Sequence, residues 1–93
     1  MKLESTSKII EEIFSPIKMR IILYLDENEY ATLSSLIQHV KSNHKILSRH
    51  LEILKSFNIV KEYRVGKIRI FFLNRENEVT QIILRLISAL RSL

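Results

Sequence analysis

No cysteine occurs among the 93 residues. Its absence excludes disulfides, thiolate catalysis and every cysteine-ligated metal site at once. A domain this small that does without disulfides is expected in the cytoplasm, where thiols stay reduced. One glycine and one proline are present, where average usage would give about six and about five. Few breakers mean long regular elements and short loops, so Gly66 and Pro16 should mark positions where the backbone needs them. No run approaches the roughly 18 consecutive apolar residues of a membrane span, and no basic start leads into an apolar signal core. The length has room for one core, so residues 1–93 are expected to form one domain. A chain this short buries only about 60–65% of its unfolded surface, which makes it a candidate for stabilisation by a partner subunit.

Charge is unevenly spread. Fifteen Lys+Arg against ten Asp+Glu give a net charge of +5. Eight basic residues lie between His39 and Arg69 (Lys41, Lys45, Arg49, Lys55, Lys61, Arg64, Lys67 and Arg69), with only Glu52 and Glu62 against them. That third of the chain carries +6 and the rest −1, and it also holds all three histidines, His39, His44 and His50. Such a concentration is how a polyanion-binding face looks before folding. A solvated surface of the kind thermostable proteins carry is the alternative.

The apolar spacing predicts mostly helix. Ile9, Ile10, Ile13 and Phe14 form one stripe over residues 1–14. Ser15-Pro16 opens a second helix, to about Asp26, because serine can cap free N–H groups and proline tolerates the first helical position. Tyr30-Ala31 reads as a short extended piece. Thr32 then caps a helix carrying Leu33, Leu36, Ile37 and Val40. After the turn at Lys41-Ser42-Asn43, a further helix from His44 to about Phe57 turns Leu47, Leu51 and Leu54 inward. Asn58 stands where a left-handed residue ends a helix. Two β-branched and aromatic runs follow, Ile59–Tyr63 and Lys67–Leu73, joined at Arg64-Val65-Gly66 by a tight hairpin. From about Arg75 or Glu76 the pattern is helical to the end.

Two helices joined by a three-residue turn, followed by a basic hairpin, describe a mainly α winged helix-turn-helix with a β-hairpin wing. A rod about one major groove wide must pack on one side and stay polar on the other. Residues 43–57 meet that requirement: Asn43, His44, Lys45, Ser48 and Arg49 lie opposite the leucines. Asn can bond adenine, Arg can pair with guanine, and Lys and Ser serve bases or phosphates. Ile46 either packs against the preceding helix or touches a thymine methyl. His50 either faces the groove or tucks under the wing beside Leu51.

These residues also carry a family resemblance. Phe14-Ser15-Pro16-Ile17-Lys18-Met19-Arg20-Ile21-Ile22-Leu23 resembles the serine–proline opening of ArsR-type winged-helix repressors. Ser48-Arg49-His50-Leu51 resembles that family's recognition-helix run, and Phe57-Asn58-Ile59-Val60 its lead into the wing. The resemblance covers about residues 13–74. MarR-type regulators and small winged-helix proteins of thermophilic archaea and their viruses share the layout. It implies that Ser48, Arg49 and His50 lie on or beside the groove-facing side, and that Arg64, Lys67 and Arg69 form a wing gripping the flanking backbone or minor groove. Metal-sensing members use paired cysteines, or His and carboxylate sets on the last helix. This chain has no cysteine and no histidine after His50, so no metal and no cofactor is expected.

Val79, Ile82, Ile83, Leu86, Ile87, Leu90 and Leu93 give the last helix a wider apolar face than a small domain usually needs. One reading has them complete the core with the N-terminal helix, and the favoured one joins them to Ile9 and Ile13. They predict a two-fold interface built from the N-terminal helix (1–14) and the C-terminal helix (75–93) around a 15–74 core. The expected function is sequence-specific binding of double-stranded DNA by a homodimeric regulator. A non-specific architectural DNA-binding protein and a protein-docking winged helix are the alternatives. An enzyme is not expected: Ser48, His50 and Glu52 point in different directions from one helix and cannot form a triad.

Overall fold

Side-chain caps decide where most helices begin. The computed structural model describes residues 3–93, and its elements run α1 (Leu3–Ile13), α2 (Pro16–Glu27), β1 (Ala31–Thr32), α3 (Leu33–Val40), α4 (His44–Ser56), β2 (Val60–Val65), β3 (Ile68–Leu73) and α5 (Glu78–Arg91). Ser15 Oγ accepts from the Lys18 N–H at 3.3 Å, Thr32 Oγ1 from Ser35 at 3.2 Å, and Asn43 Oδ1 from Ile46 at 2.9 Å. Each such cap contributes about 1 kcal/mol. Residues 1 and 2 of the expected 1–14 helix lie outside the described residues.

Two expected boundaries move by more than one residue. The last helix begins at Glu78 rather than at Arg75 or Glu76, because Asn77 Oδ1 caps it by accepting from the Thr80 N–H at 3.1 Å. Residues 74–77 form a turn, closed by the Asn77 N–H donating to the Asn74 carbonyl. The hairpin loop is also shorter than expected. Arg64 pairs with Arg69 and Val65 with Ile68, which leaves only Gly66 and Lys67 to turn. Gly66 has φ +61°, suited to the first position of a two-residue turn that an L side chain resists. Positive φ also ends two helices: Lys41 (56°) closes α3 and Asn58 (59°) follows α4.

The antiparallel sheet has the order β1-β3-β2, so the short strand before α3 completes the wing. Alternation sends Val60, Phe71 and Leu73 inward, while Tyr63, Val65 and Ile68 stand exposed on the other face. The core joins those inward residues to Ile21, Ile22 and Leu25 of α2, Leu36 and Val40 of α3, and Leu47, Leu51 and Leu54 of α4. It also takes residues expected at the two-fold interface: Ile13, Ile83 and Ile87 are 1%, 2% and 4% exposed. Ile9 and Val79 are partly buried against it. The helices α1 and α5 therefore each carry one stripe that closes the protomer. Their outward stripe is Ile10 on α1 and Ile82, Leu86 and Leu90 on α5. Asp26, near the end of α2, pairs with Arg75 in the turn before α5 at 3.3 Å and with Arg91, the last residue of α5, at 3.0 Å.

Candidate nucleic-acid interface

The geometry of α4 follows from its three leucines. Leu47, Leu51 and Leu54 are wholly buried, so at about 100° per residue the opposite side is Lys45, Arg49, Glu52 and Ser56. All four are exposed. His44 lies to one side of this row, in an open cleft of about 510 Å³ shared with Thr32, Ser34 and the wing residues Lys67 and Arg69. Ile46, on the other flank, keeps 38% of its surface exposed, so it is not consumed by packing.

Three of the expected contact residues are placed differently. Asn43 is exposed but its Oδ1 already caps α4. A paired contact with adenine needs both the oxygen and the nitrogen of the amide, so only its N–H₂ remains to donate. Ser48 does not join the outer row: its Oγ is buried, with no hydrogen-bond partner. The cause is angular, since Ser48 stands one turn after His44 and one turn before Glu52 on the flank that turns toward the wing. Arg69 is the third. Its side chain is only 18% exposed, and it donates from Nε to Glu62 Oε2 at 2.7 Å and from Nη2 to Glu62 Oε1 at 3.1 Å. Its guanidinium also lies 5.1 Å from the centre of the Phe71 ring. Arg69 is thus held by the protein itself. Arg64 and Lys67 stay exposed near the wing tip, Arg64 with only a loose 3.5 Å approach to Glu62.

Glu62 is the hub that spacing did not reveal. Its side chain is 7% exposed and takes Lys55 Nζ at 2.8 Å as well as Arg69. Bonds from Arg69 and then Lys55 hold the Glu62 carboxyl at about 2, against the burial that opposes them. Lys55 and Arg69 are raised in turn, chiefly by Glu62. Because Lys55 belongs to α4 and Glu62 and Arg69 to the hairpin, this network locks the wing to the helix. Neither Glu52 nor Glu62 pairs with Arg49: both carboxylates go to Lys55 and Arg69. One signal was present, a glutamate in the inward register between Val60 and Arg64.

His50 tucks inward. Its Nδ1 is buried without a partner, and burial, then Lys18, then Arg49, push its pKa below the ordinary value. Lys18 is itself 4% exposed, a burial that periodicity alone did not suggest for a lysine. Ser48 Oγ and His50 Nδ1 are not hydrogen-bonded to each other or to anything else, so no nucleophile–base pair exists at this run. Among the described residues no group of three or more His, Asp or Glu is placed to hold a metal ion. No helix among them is long and apolar enough to cross a membrane.

Residues 15–62 match the sequence model of bacterial regulatory proteins of the arsR family. No curated protein sequence matches the chain. Among solved structures it is similar to NolR from Sinorhizobium fredii, with a TM-score of 0.76 at 19% identity, covering 97% of this chain and 93% of that one. It is also similar to the homodimeric winged helix-turn-helix DNA-binding domain of a possible ArsR-family transcriptional regulator from Mycobacterium bovis (TM-score 0.75, 16% identity, 97% and 81% covered). HlyU from Vibrio cholerae is a third (TM-score 0.69, 17% identity, 92% and 97% covered). These likenesses show a shared fold, the winged helix-turn-helix.

Proposed function

The chain belongs to the ArsR family of bacterial regulatory proteins, and on that premise we propose that it is a homodimeric regulator that binds specific sequences of double-stranded DNA. It acts in the cytoplasm as one domain and does no chemistry of its own. Residues 15–74 form the DNA-binding core and the helices at either end form the dimer contact. The observation that carries this reading is the exposed row of α4. Lys45 and Arg49 project from a helix whose other side is fixed by three wholly buried leucines. In the major groove, Arg49 reads a guanine edge while Lys45, His44 and the Asn43 amide N–H₂ contact bases or phosphates. Arg64 and Lys67 at the wing tip grip the flanking backbone or minor groove. Arg69 serves the wing by holding it to α4, not by touching DNA.

The dimer contact is supported by the outward apolar stripes. Ile82, Leu86 and Leu90 recur every four residues along α5 at 51%, 43% and 57% exposure, near Ile10 at 51% in kind. A hollow of about 310 Å³ lined by Met19, Leu23, Ile87, Leu90 and Arg91 adjoins them. A row of this kind left in water is unfavourable by about 25 cal/mol per Å² of apolar area, and a two-fold partner covers it. Two recognition helices then lie about 34 Å apart, one turn of DNA.

Selection of bound sequences from random duplex DNA, combined with salt titration, tests the whole reading. The expected result is a pseudo-palindromic motif with half-sites one turn apart and affinity that falls steeply with salt. Uniform enrichment would make the protein an architectural DNA binder. Absence of salt-sensitive retention on duplex DNA would make it a protein-docking module.

A further inference from the structure

A carboxylate stands in the cationic row of α4. Lys45, Arg49 and Glu52 lie within an arc of about 60° and rise over about 10 Å along the axis, the height of about three base-pair steps. Glu52 is 59% exposed, against 7% for Glu62. On a face meant only for phosphates, such a charge would weaken binding. Its setting is specific, however. Oε1 receives Lys55 Nζ at 3.3 Å and Arg69 Nη2 at 3.5 Å, which turns the carboxylate to one side. No partner among the described residues reaches Oε2.

We propose that Glu52 is a specificity-determining residue that reads cytosine. Its free oxygen accepts a hydrogen bond from the cytosine N4 amino group, the only pyrimidine donor in the major groove. Thymine presents an acceptor at that place and is repelled. The proposal rests on α4 lying in the groove, as above. Lys55, itself held by Glu62 at 2.8 Å, biases the carboxylate before DNA arrives, with Arg69 only at the edge of reach, so part of its ordering cost on binding is already met.

The test runs the random-duplex selection in parallel on the wild type, Glu52→Gln and Glu52→Ala. Glu52 is exposed, so all three are expected to fold alike, and circular dichroism checks it. The wild type should require cytosine at one position of each half-site, with discrimination of about tenfold or more against other bases in titrations of single-base duplex variants. Glu52→Gln should move that position to adenine, whose N6 and N7 suit an amide. Glu52→Ala should lose the preference and bind scrambled duplex more tightly. An unchanged motif in both variants, or a wild-type motif without cytosine there, overturns the proposal alone. Equal loss in both variants without a gain of adenine also overturns it, and would assign Glu52 to holding the wing. A wild type that selects no motif overturns the groove placement of α4 and this inference with it.

Discussion

Single residues here do two kinds of work, and burial separates them. Glu62 is a buried anion among cations, so removing its charge leaves Arg69 and Lys55 without a partner. Its carboxyl is held at about 2, below the ordinary value, so the stability it contributes is fully present above about pH 4.5. That stability is lost as pH falls through about 2. Discounted for solvent screening at the partly exposed Lys55, the contribution is about 2 kcal/mol. Glu62→Gln should flatten the acid limb of a melting-temperature profile below pH 4.5; an unaltered limb would show that the network is not stabilising. His50 acts with the opposite charge in a higher window. Its pKa is lowered, so below about pH 6.5 the unfolded chain takes up the proton first and the fold weakens as pH falls. His50→Gln should remove that component from a melting-temperature profile below about pH 6.5. Lys41 offers a third case. It holds φ 56° at the end of α3, a conformation unfavourable by about 1 kcal/mol for a side chain. Lys41→Gly should therefore raise the melting temperature slightly, by at most about 0.5 kcal/mol of stability once the glycine entropy of about 0.5–1 kcal/mol is subtracted.

Elements show what periodicity can and cannot reveal. The inward side of α4 was legible because 3.6-residue spacing places Leu47, Leu51 and Leu54 together whatever packs on them. The caps at Ser15, Thr32 and Asn43 were legible for the same local reason, and the structure bears them out. The flank of α4 was not legible. Whether Ser48 and Arg69 are open or enclosed depends on how the hairpin lies across the helix, which residues 17 apart decide, as between Glu52 and Arg69. The same holds for Asn43: its capping role was foreseen, but capping also withdraws the oxygen that reading adenine requires. The interface elements differ in what they should do. Arg49→Ala should weaken specific binding more than binding to scrambled duplex, by about 1–3 kcal/mol, whereas Lys67→Ala should weaken both alike. Equal losses on both duplexes for Arg49→Ala in salt-matched titrations would remove the base-reading role.

At the scale of the whole molecule, charge and apolar surface are segregated. The +6 segment supplies α4 and the wing, while α1 and α5 display Ile10, Ile82, Leu86 and Leu90. Outward and inward stripes on α5 are adjacent, so substitutions one residue apart should have different outcomes. Leu86→Glu should yield a folded monomer with DNA affinity reduced at least about tenfold, because one half-site alone is then held. Ile87→Glu should unfold the chain instead, since a charge placed at a 4% exposed position has no partner. Sedimentation and circular dichroism on the two variants separate these results, and a Leu86→Glu protein that sediments as the wild type would remove the proposed interface. What the sequence by itself determined was everything set by short range: helix faces, caps, the glycine of the hairpin and the third of the chain that carries the charge. Only the tertiary structure decided which of those charges are free and which apolar residues remain outside. Neutralising Arg69 against Glu62, or burying Ile83 while Ile82 stays open, depends on the surfaces that meet across the fold, and no local spacing encodes those.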